Sequence, residues 1–158
     1  MKEIIHECKV YLYRYEELTE TERELVNHAK EATKNSYAPY SKFHVGAAVR
    51  LADGTIITGC NQENAAYPSG LCAERTTLFY ANAHCPDTAV EMLAIAAHNG
   101  TWFTEKPVSP CGACRQVILE TECRFHHPVR ILLYGTTGVY VVESVRDLLP
   151  LSFTDEQL

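Results

Sequence analysis

The segment VGAAVRLADGTIITGC, residues 45–60, decides the fold. It contains two apolar runs, 45–51 and 55–60, and between them lies Asp53-Gly54. This dipeptide favours the tight turn that joins two antiparallel strands, because both residues tolerate a positive φ. We therefore predict a β-hairpin, with the other elements arranged around it.

Hydrophobic periodicity and breaker residues predict the other elements. A capping box formed by Thr19 and Glu22 marks the start of the first helix. The predicted elements are a strand within residues 4–15, helices over 19–36, 72–83 and 110–120, strands over 90–98, 130–134 and 139–142, and a short helix over 144–148. This order predicts an α/β fold of three α/β/α layers around a mixed sheet of about five strands, with an extra strand near the N-terminus.

Length and composition limit the possible classes of protein. We expect residues 1–158 to form one domain with an N-terminal extension at 1–18, because 46% hydrophobic content suffices for one core. The net charge of −6 argues against a nucleic-acid polymer as partner. No run approaches the roughly 20 apolar residues that span a bilayer. The seven cysteines suggest no disulfide framework, and the N-terminus suggests no signal peptide, so we expect a cytoplasmic protein without membrane contact.

A split cluster of cysteines carries the chemistry. Cys72 lies two residues before Glu74, and Cys111 and Cys114 follow 39 and 42 positions after Cys72. Three thiolates leave one vertex of a tetrahedral zinc site for water, and the neighbouring carboxylate can move the protons of that water. The cysteines fall at two helix starts, where the partial positive charge of the helix N-terminus stabilises thiolates.

Other interpretations of the cluster remain open from the residues alone. Cys111 and Cys114 by themselves resemble a redox pair, but that interpretation does not use Cys72 and Glu74. A structural zinc site would need a fourth ligand, for which the candidates are Cys123, His126 and His127. Arg75 is either a donor to a ligand sulfur, which would offset the negative charge of the site, or a solvated helix residue.

Four ordered blocks of sequence, spread between residues 33 and 153, carry a family resemblance. The blocks are YAPYSKFHVGAA at 37–48, GCNQENAAY at 59–67, CAERT at 72–76 and SPCGACRQ at 109–116. With them the chain resembles the cytidine deaminases of the small, homotetrameric, zinc-dependent type. The resemblance implies one Zn²⁺ per subunit and hydrolysis of cytidine and deoxycytidine to uridine, deoxyuridine and ammonia in pyrimidine salvage.

The resemblance also implies roles for individual residues. Zinc would be bound by the three cysteines of the cluster, and Glu74 would be the catalytic acid and base. Asn61 and Glu63 would bind the ribose, although polar residues at a strand end also commonly cap turns. The other residues placed at the substrate are Phe43, Tyr67, Ala73 and Phe153.

Phe153 would reach the substrate of a neighbouring subunit, so the resemblance implies a homotetramer with sites at subunit interfaces. For both phenylalanines the competing interpretation is ordinary core packing. Other functions left open are deamination of another aminopyrimidine, such as a blasticidin-type nucleoside or a deoxycytidylate, and editing of RNA or DNA. A zinc-stabilised interaction module without activity is a candidate from a different class.

Overall fold

The computed structural model describes residues 1–158 and contains one mixed β-sheet with three α-helices. In chain order the elements are β1 (Tyr11–Tyr13), α1 (Glu20–Ala32), β2 (His44–Leu51), β3 (Ile56–Cys60), α2 (Ala73–His84), β4 (Val90–His98), α3 (Gly112–Phe125), β5 (Arg130–Gly135) and β6 (Gly138–Val142). The six strands pair in the order β1-β6-β5-β4-β2-β3. Only β4 and β5 are parallel, and the predicted hairpin is the antiparallel pair β2–β3.

Helices cover both faces of this sheet, as the element order predicts. Successive residues of β2 point to opposite faces, so that Ala47 packs in one apolar cluster and Ala48 in the other. The cluster of Ala48 includes Leu25 and Val26 of α1, whereas the cluster of Ala47 includes residues of α2 and α3. The three-layer architecture is therefore confirmed, with α1 on one face and the two cysteine-bearing helices on the other.

Two glycines of the hairpin let helices approach the sheet closely. A Cβ on Gly46 would lie 2.1 Å from the carbonyl oxygen of Ala29 in α1. A Cβ on Gly59 would lie 2.5 Å from the hydroxyl oxygen of Thr77 in α2. Neither distance is possible for real atoms, so the contacts of α1 with β2 and of α2 with β3 require glycine at these positions.

The predicted bounds of α3 are wrong at both ends. The helix begins at Gly112, with Cys111 as its N-cap, rather than at Pro110. It continues beyond residue 120 to Phe125, because nothing between these positions breaks it, and ends where His126 adopts the left-handed conformation with φ 50° and ψ 38°. With 14 residues α3 is the longest helix, and no helix has the length and apolar character needed to cross a membrane.

The N-terminal strand exists but is much shorter than the alternation over residues 4–15 predicts. Only Tyr11–Tyr13 pairs with a neighbour, in antiparallel register from Tyr11 against Val141 to Tyr13 against Val139. In this register Val142, the last residue of β6, lies opposite Val10, so the residues before Val10 have no strand to pair with. The short helix predicted at 144–148 is a 3₁₀ turn, Val145–Asp147.

Candidate metal centre and active site

The N-termini of α2 and α3 bring three cysteines together. Cys72 is the N-cap residue of α2, Cys111 is the N-cap residue of α3, and Cys114 lies in the first turn of α3. Their sulfur atoms all lie within 4.8 Å of one another. The Sγ atoms are 3.9 Å apart between Cys72 and Cys111 and 3.5 Å apart between Cys111 and Cys114.

These distances fit zinc. A tetrahedral ion with Zn–S bonds of about 2.3 Å separates its sulfur ligands by about 3.8 Å. No fourth His, Cys, Asp or Glu joins the cluster, so a fourth vertex is left for a small molecule. The candidates for a fourth ligand, Cys123, His126 and His127, lie at the other end of α3, and the rise from Cys114 to Cys123 alone is about 13 Å. They therefore cannot complete this site.

The surroundings of the sulfurs favour negative charge on Cys72. Nη2 of Arg75 lies 3.8 Å from the Sγ of Cys72. Hydrogen bonding from Cys114, and next from Arg75, lowers the pKa of Cys72 to about 5 although burial opposes this shift. The interaction with Cys72, together with burial, raises the pKa of the Cys114 thiol. Because zinc binds thiolates, zinc binding releases protons from this cluster.

Glu74 lies in the first turn of α2, beside the sulfurs. Its side chain is 5% exposed and lines the cavity described below. Burial raises the pKa of its carboxyl, and the negative charge of Cys72 adds to this shift. A carboxyl whose pKa is raised holds a proton more readily than an ordinary glutamate, which suits a group that takes up a proton and passes it on.

A cavity of about 730 Å³ opens in front of the cluster, and half of the residues that line it are hydrophobic. Among the residues predicted for the site, those that line it are Phe43, Asn61, Glu63, Tyr67, Cys72, Glu74, Arg75 and Cys111. The structure thus brings together residues that flank both strands of the hairpin at its open end and residues of both cysteine-bearing helices. Their individual roles stay predictions.

Asn61 and Glu63 use part of their hydrogen-bonding capacity to shape the cavity wall. The Asn61 side chain accepts from the Val45 amide at 2.8 Å and donates to the Phe43 carbonyl at 2.9 Å. The Glu63 carboxylate accepts from the backbone amide of Tyr40 at 2.8 Å. The Asn61 side chain thus holds the start of β2, whereas the Glu63 carboxylate caps the turn at Tyr40 and Ser41. Each side chain keeps a further polar valence that can face a ligand.

Two residues predicted to bind substrate do not line the cavity. Ala73, the first residue of α2, is fully buried and its side chain packs in the apolar core, so only its backbone could reach a ligand. Phe153 is 58% exposed, and its carbonyl accepts a hydrogen bond from Nε2 of Gln116 at 2.9 Å. Within this chain, therefore, Phe153 is neither a core residue nor a cavity residue.

Aromatic residues and a connecting segment complete the wall. The rings of Tyr40 and Tyr67 meet edge to face at 6.0 Å, and both side chains are largely exposed. Val108 and Ser109, which sequence reasoning did not place, line the cavity as well. Ser109 is the first residue of the block at 109–116, and for Val108 the signal is its position just before that block.

Comparisons with known proteins agree with this geometry. Residues 19–126 match the family model described as the cytidine and deoxycytidylate deaminase zinc-binding region. The cytidine deaminase of Sporosarcina psychrophila is 46% identical over 134 residues, which are 85% of this chain and 92% of that protein. The cytidine deaminase of Halalkalibacterium halodurans is 40% identical over 134 residues, which are 85% and 95% of the two chains.

Solved structures give the same result. The crystal structure of cytidine deaminase from Burkholderia pseudomallei superposes with a TM-score of 0.72 at 39% identity and covers 86% of this chain and 100% of that one. For cytidine deaminase from Mycobacterium tuberculosis the TM-score is 0.64 at 33% identity, with 83% and 95% of the chains covered. With three sulfurs at zinc-binding distance beside a buried glutamate, the chain belongs to the cytidine and deoxycytidylate deaminase family.

Proposed function

We propose that this protein is a zinc-dependent cytidine deaminase, which hydrolyses cytidine and deoxycytidine to uridine and deoxyuridine and releases ammonia. The observation that carries the proposal is the position of Glu74, which is buried next to three sulfurs at zinc spacing and faces the same cavity. Family membership fits the same chemistry. We infer that Cys72, Cys111 and Cys114 hold the zinc ion, one per subunit.

Zinc bound by the three cysteines would act as a Lewis acid and lower the pKa of water, so that water could act as a nucleophile at neutral pH. Glu74 takes a proton from the water that attacks C4 of the base and delivers it to the ring nitrogen N3. It then transfers the proton of the hydroxyl group now on C4 to the exocyclic amine. The bond between C4 and this amine breaks, ammonia leaves, and C4 becomes a carbonyl carbon. One carboxyl group acts as base and as acid, and its raised pKa suits both steps.

The cavity favours a nucleoside over a nucleotide. Arg75 is the only Lys or Arg among its lining residues, and its guanidinium already contacts Cys72. No second cation is left for a phosphate group. We infer that Asn61 and Glu63 bind the ribose hydroxyls with the hydrogen-bonding capacity that their backbone contacts leave free, and that Phe43 packs against the substrate.

Assembly and cellular role complete the proposal. We infer a homotetramer in which the exposed Phe153 and Tyr67 contribute to sites at subunit interfaces. We propose that residues 1–158 form one domain, that Ala73 contacts the substrate through its backbone, and that the protein acts in pyrimidine salvage in the cytoplasm.

A panel of substrates tests the proposal. The zinc-loaded protein is mixed with cytidine, deoxycytidine, cytosine, CMP and blasticidin, and ammonia release is followed. We expect turnover of both nucleosides and little or none of cytosine, which lacks the ribose, and of CMP, which carries a phosphate. Turnover of blasticidin alone would assign another substrate, and a fully metallated protein inert toward the whole panel would overturn the proposed activity.

A further inference from the structure

Of the three sulfur ligands, Cys111 is held least by its own surroundings. Cys114 is fully buried within α3. Cys72 follows Leu71, whose backbone exchanges two hydrogen bonds with Gln62, at 2.9 and 3.0 Å. Cys111 is exposed and ends a segment without regular structure. Its position therefore depends on what holds the preceding residues.

The Arg115 side chain supplies that support. Its Nε donates to the carbonyl oxygen of Pro110 at 2.9 Å, one residue before the ligand. Its Nη1 donates to the carbonyl oxygen of Leu148 at 2.6 Å, 33 positions along the chain. Arg115 takes part in none of the ion pairs, so its guanidinium fork serves two backbone carbonyls rather than a carboxylate.

The second of these carbonyls belongs to a firmly held turn. Glu122, on the same helix as Arg115 and only 5% exposed, accepts from the Ser144 hydroxyl at 2.8 Å and from the Val145 amide at 3.0 Å. The amide of Leu148 in turn donates to the Val145 carbonyl at 2.8 Å. The Leu148 carbonyl is thus held in an ordered turn, and through Arg115 it can restrain the segment before Cys111.

We propose that Arg115 is a positioning residue that holds Cys111 in place for zinc by bridging the Pro110 and Leu148 carbonyls. This inference rests on the proposed role of Cys111 as a zinc ligand. A planar guanidinium offers its donors in a rigid fork, so one side chain fixes both carbonyls relative to α3. Because Cys111 is already ordered before zinc binds, less conformational entropy is lost on binding, and the affinity for zinc is higher.

Arg124 provides a matched control for the test. It also projects from α3 and donates to two backbone carbonyls, those of Asn82 at 3.5 Å and Pro86 at 2.6 Å, but it lies in the last turn, far from the sulfurs. The variants R115M, R115K and R124M are compared with the wild type. Zinc affinity is measured by competition with a coloured chelator, and the thiolate charge-transfer bands of the cobalt-substituted proteins report the geometry of the site.

We expect R115M to bind zinc about 10–100-fold more weakly than the wild type, the range typical for loss of a group that orients a metal ligand. R124M should bind zinc with wild-type affinity, even if both substitutions lower thermal stability to the same extent. R115K, which keeps the charge but has no fork, should show an intermediate loss and altered cobalt bands.

Two results would overturn the proposal. One is wild-type zinc affinity in R115K together with an unchanged cobalt spectrum, which would mean that the bridge does not position Cys111; this result is informative even if R115M fails to fold. The other is an equal loss of zinc in R124M and R115M. The zinc content of the wild type tests separately whether the chain binds the metal, so a wild type that binds one zinc leaves the proposed function standing in either case.

Discussion

The helix N-termini on the two faces of the sheet differ in whether a side chain caps them. On one face, α1 closes its own end, since the Thr19 hydroxyl accepts from the Glu22 amide at 3.2 Å and the Glu22 carboxylate accepts from the Thr19 amide at 2.8 Å. On the other face, α2 and α3 have Cys72 and Cys111 at the N-cap position, and neither side chain caps its helix. Ser, Thr, Asp and Asn at this position stabilise a helix by about 0.5–2 kcal/mol relative to Ala, and cysteine is not among the preferred caps. The sequence thus gives up local helix stability where it places a metal ligand.

Two glutamates that are both little exposed to solvent show a related contrast. Glu22 in the first turn of α1 is 6% exposed and Glu74 in the first turn of α2 is 5% exposed. Burial alone would raise both pKa values, but hydrogen bonds from Thr19 and from Arg130 outweigh it and lower the pKa of Glu22. Glu74 has no such set of donors, and its pKa is raised. The two carboxyls thus differ in the donors around them, which separate a structural carboxylate from one suited to proton transfer.

The largest expected effect comes from exchanging the cap of α2. C72S should lose zinc and with it all turnover, because a serine hydroxyl is not a soft thiolate ligand. The metal-free variant should be at least as stable as metal-free wild type, because serine is a good N-cap residue. Zinc analysis and chemical denaturation of metal-free samples measure both properties.

C85S is the control for this exchange, since Cys85 is the C-cap residue of the same helix and lies away from the cluster. It should keep its zinc. If metal-free C72S unfolds at a lower denaturant concentration than metal-free wild type, the idea that the ligand position sacrifices helix stability is wrong.

The next effect distinguishes the two glutamates. E74Q should fold and bind zinc but lose about 10²–10⁴ in turnover, the typical contribution of general acid–base catalysis. E22Q makes the same chemical change at a glutamate of similar solvent exposure on the other face, and should lower stability while turnover of the folded protein stays normal. Steady-state kinetics and zinc analysis of both variants check this, and near-normal turnover in E74Q would refute its proposed role.

Local signals in the sequence were sufficient for one part of this structure. Asp53-Gly54 marks the hairpin, and Thr19 with Glu22 marks the start of α1, because in both cases the interacting residues are neighbours in the chain. The cysteine cluster could be predicted too, although its two parts lie far apart, because few chemistries use three thiols and a glutamate at this spacing.

Contacts between distant residues could not be predicted in the same way. Nothing in the alternation near Tyr11 shows that its partner strand ends at Val142. Arg115 bonds to a carbonyl 33 positions away, and a backbone carbonyl carries no mark in the sequence. The end of α3 is equally unmarked, since His126 adopts a conformation for which glycine is the usual signal.

A smaller effect tests the cap of α1. T19A removes the hydroxyl that accepts from the Glu22 amide, and should lower the free energy of unfolding by about 1 kcal/mol. Zinc content should not change, since α1 lies on the face of the sheet opposite the cluster. T21A, in the same turn, removes a hydroxyl that makes no hydrogen bond and should leave stability nearly unchanged. Equal losses in the two variants would contradict a specific role for the cap.

The smallest expected effect is the pH dependence of the same helix end. A carboxyl whose pKa is lower in the folded than in the unfolded protein stabilises the fold above its unfolded pKa, about 4.3 for Glu, and this stabilisation is lost as the pH falls through the folded pKa. The lowered pKa of Glu22 therefore predicts that wild type exceeds E22Q in stability at neutral pH, and that the gap narrows below about pH 4. Glu143, the other partner of Arg130, is present in both proteins, so most of its contribution to stability cancels in the difference. Denaturant unfolding of the two proteins between pH 7 and pH 3 measures the gap, and a gap that stays constant would show that Glu22 is not stabilised in its charged form.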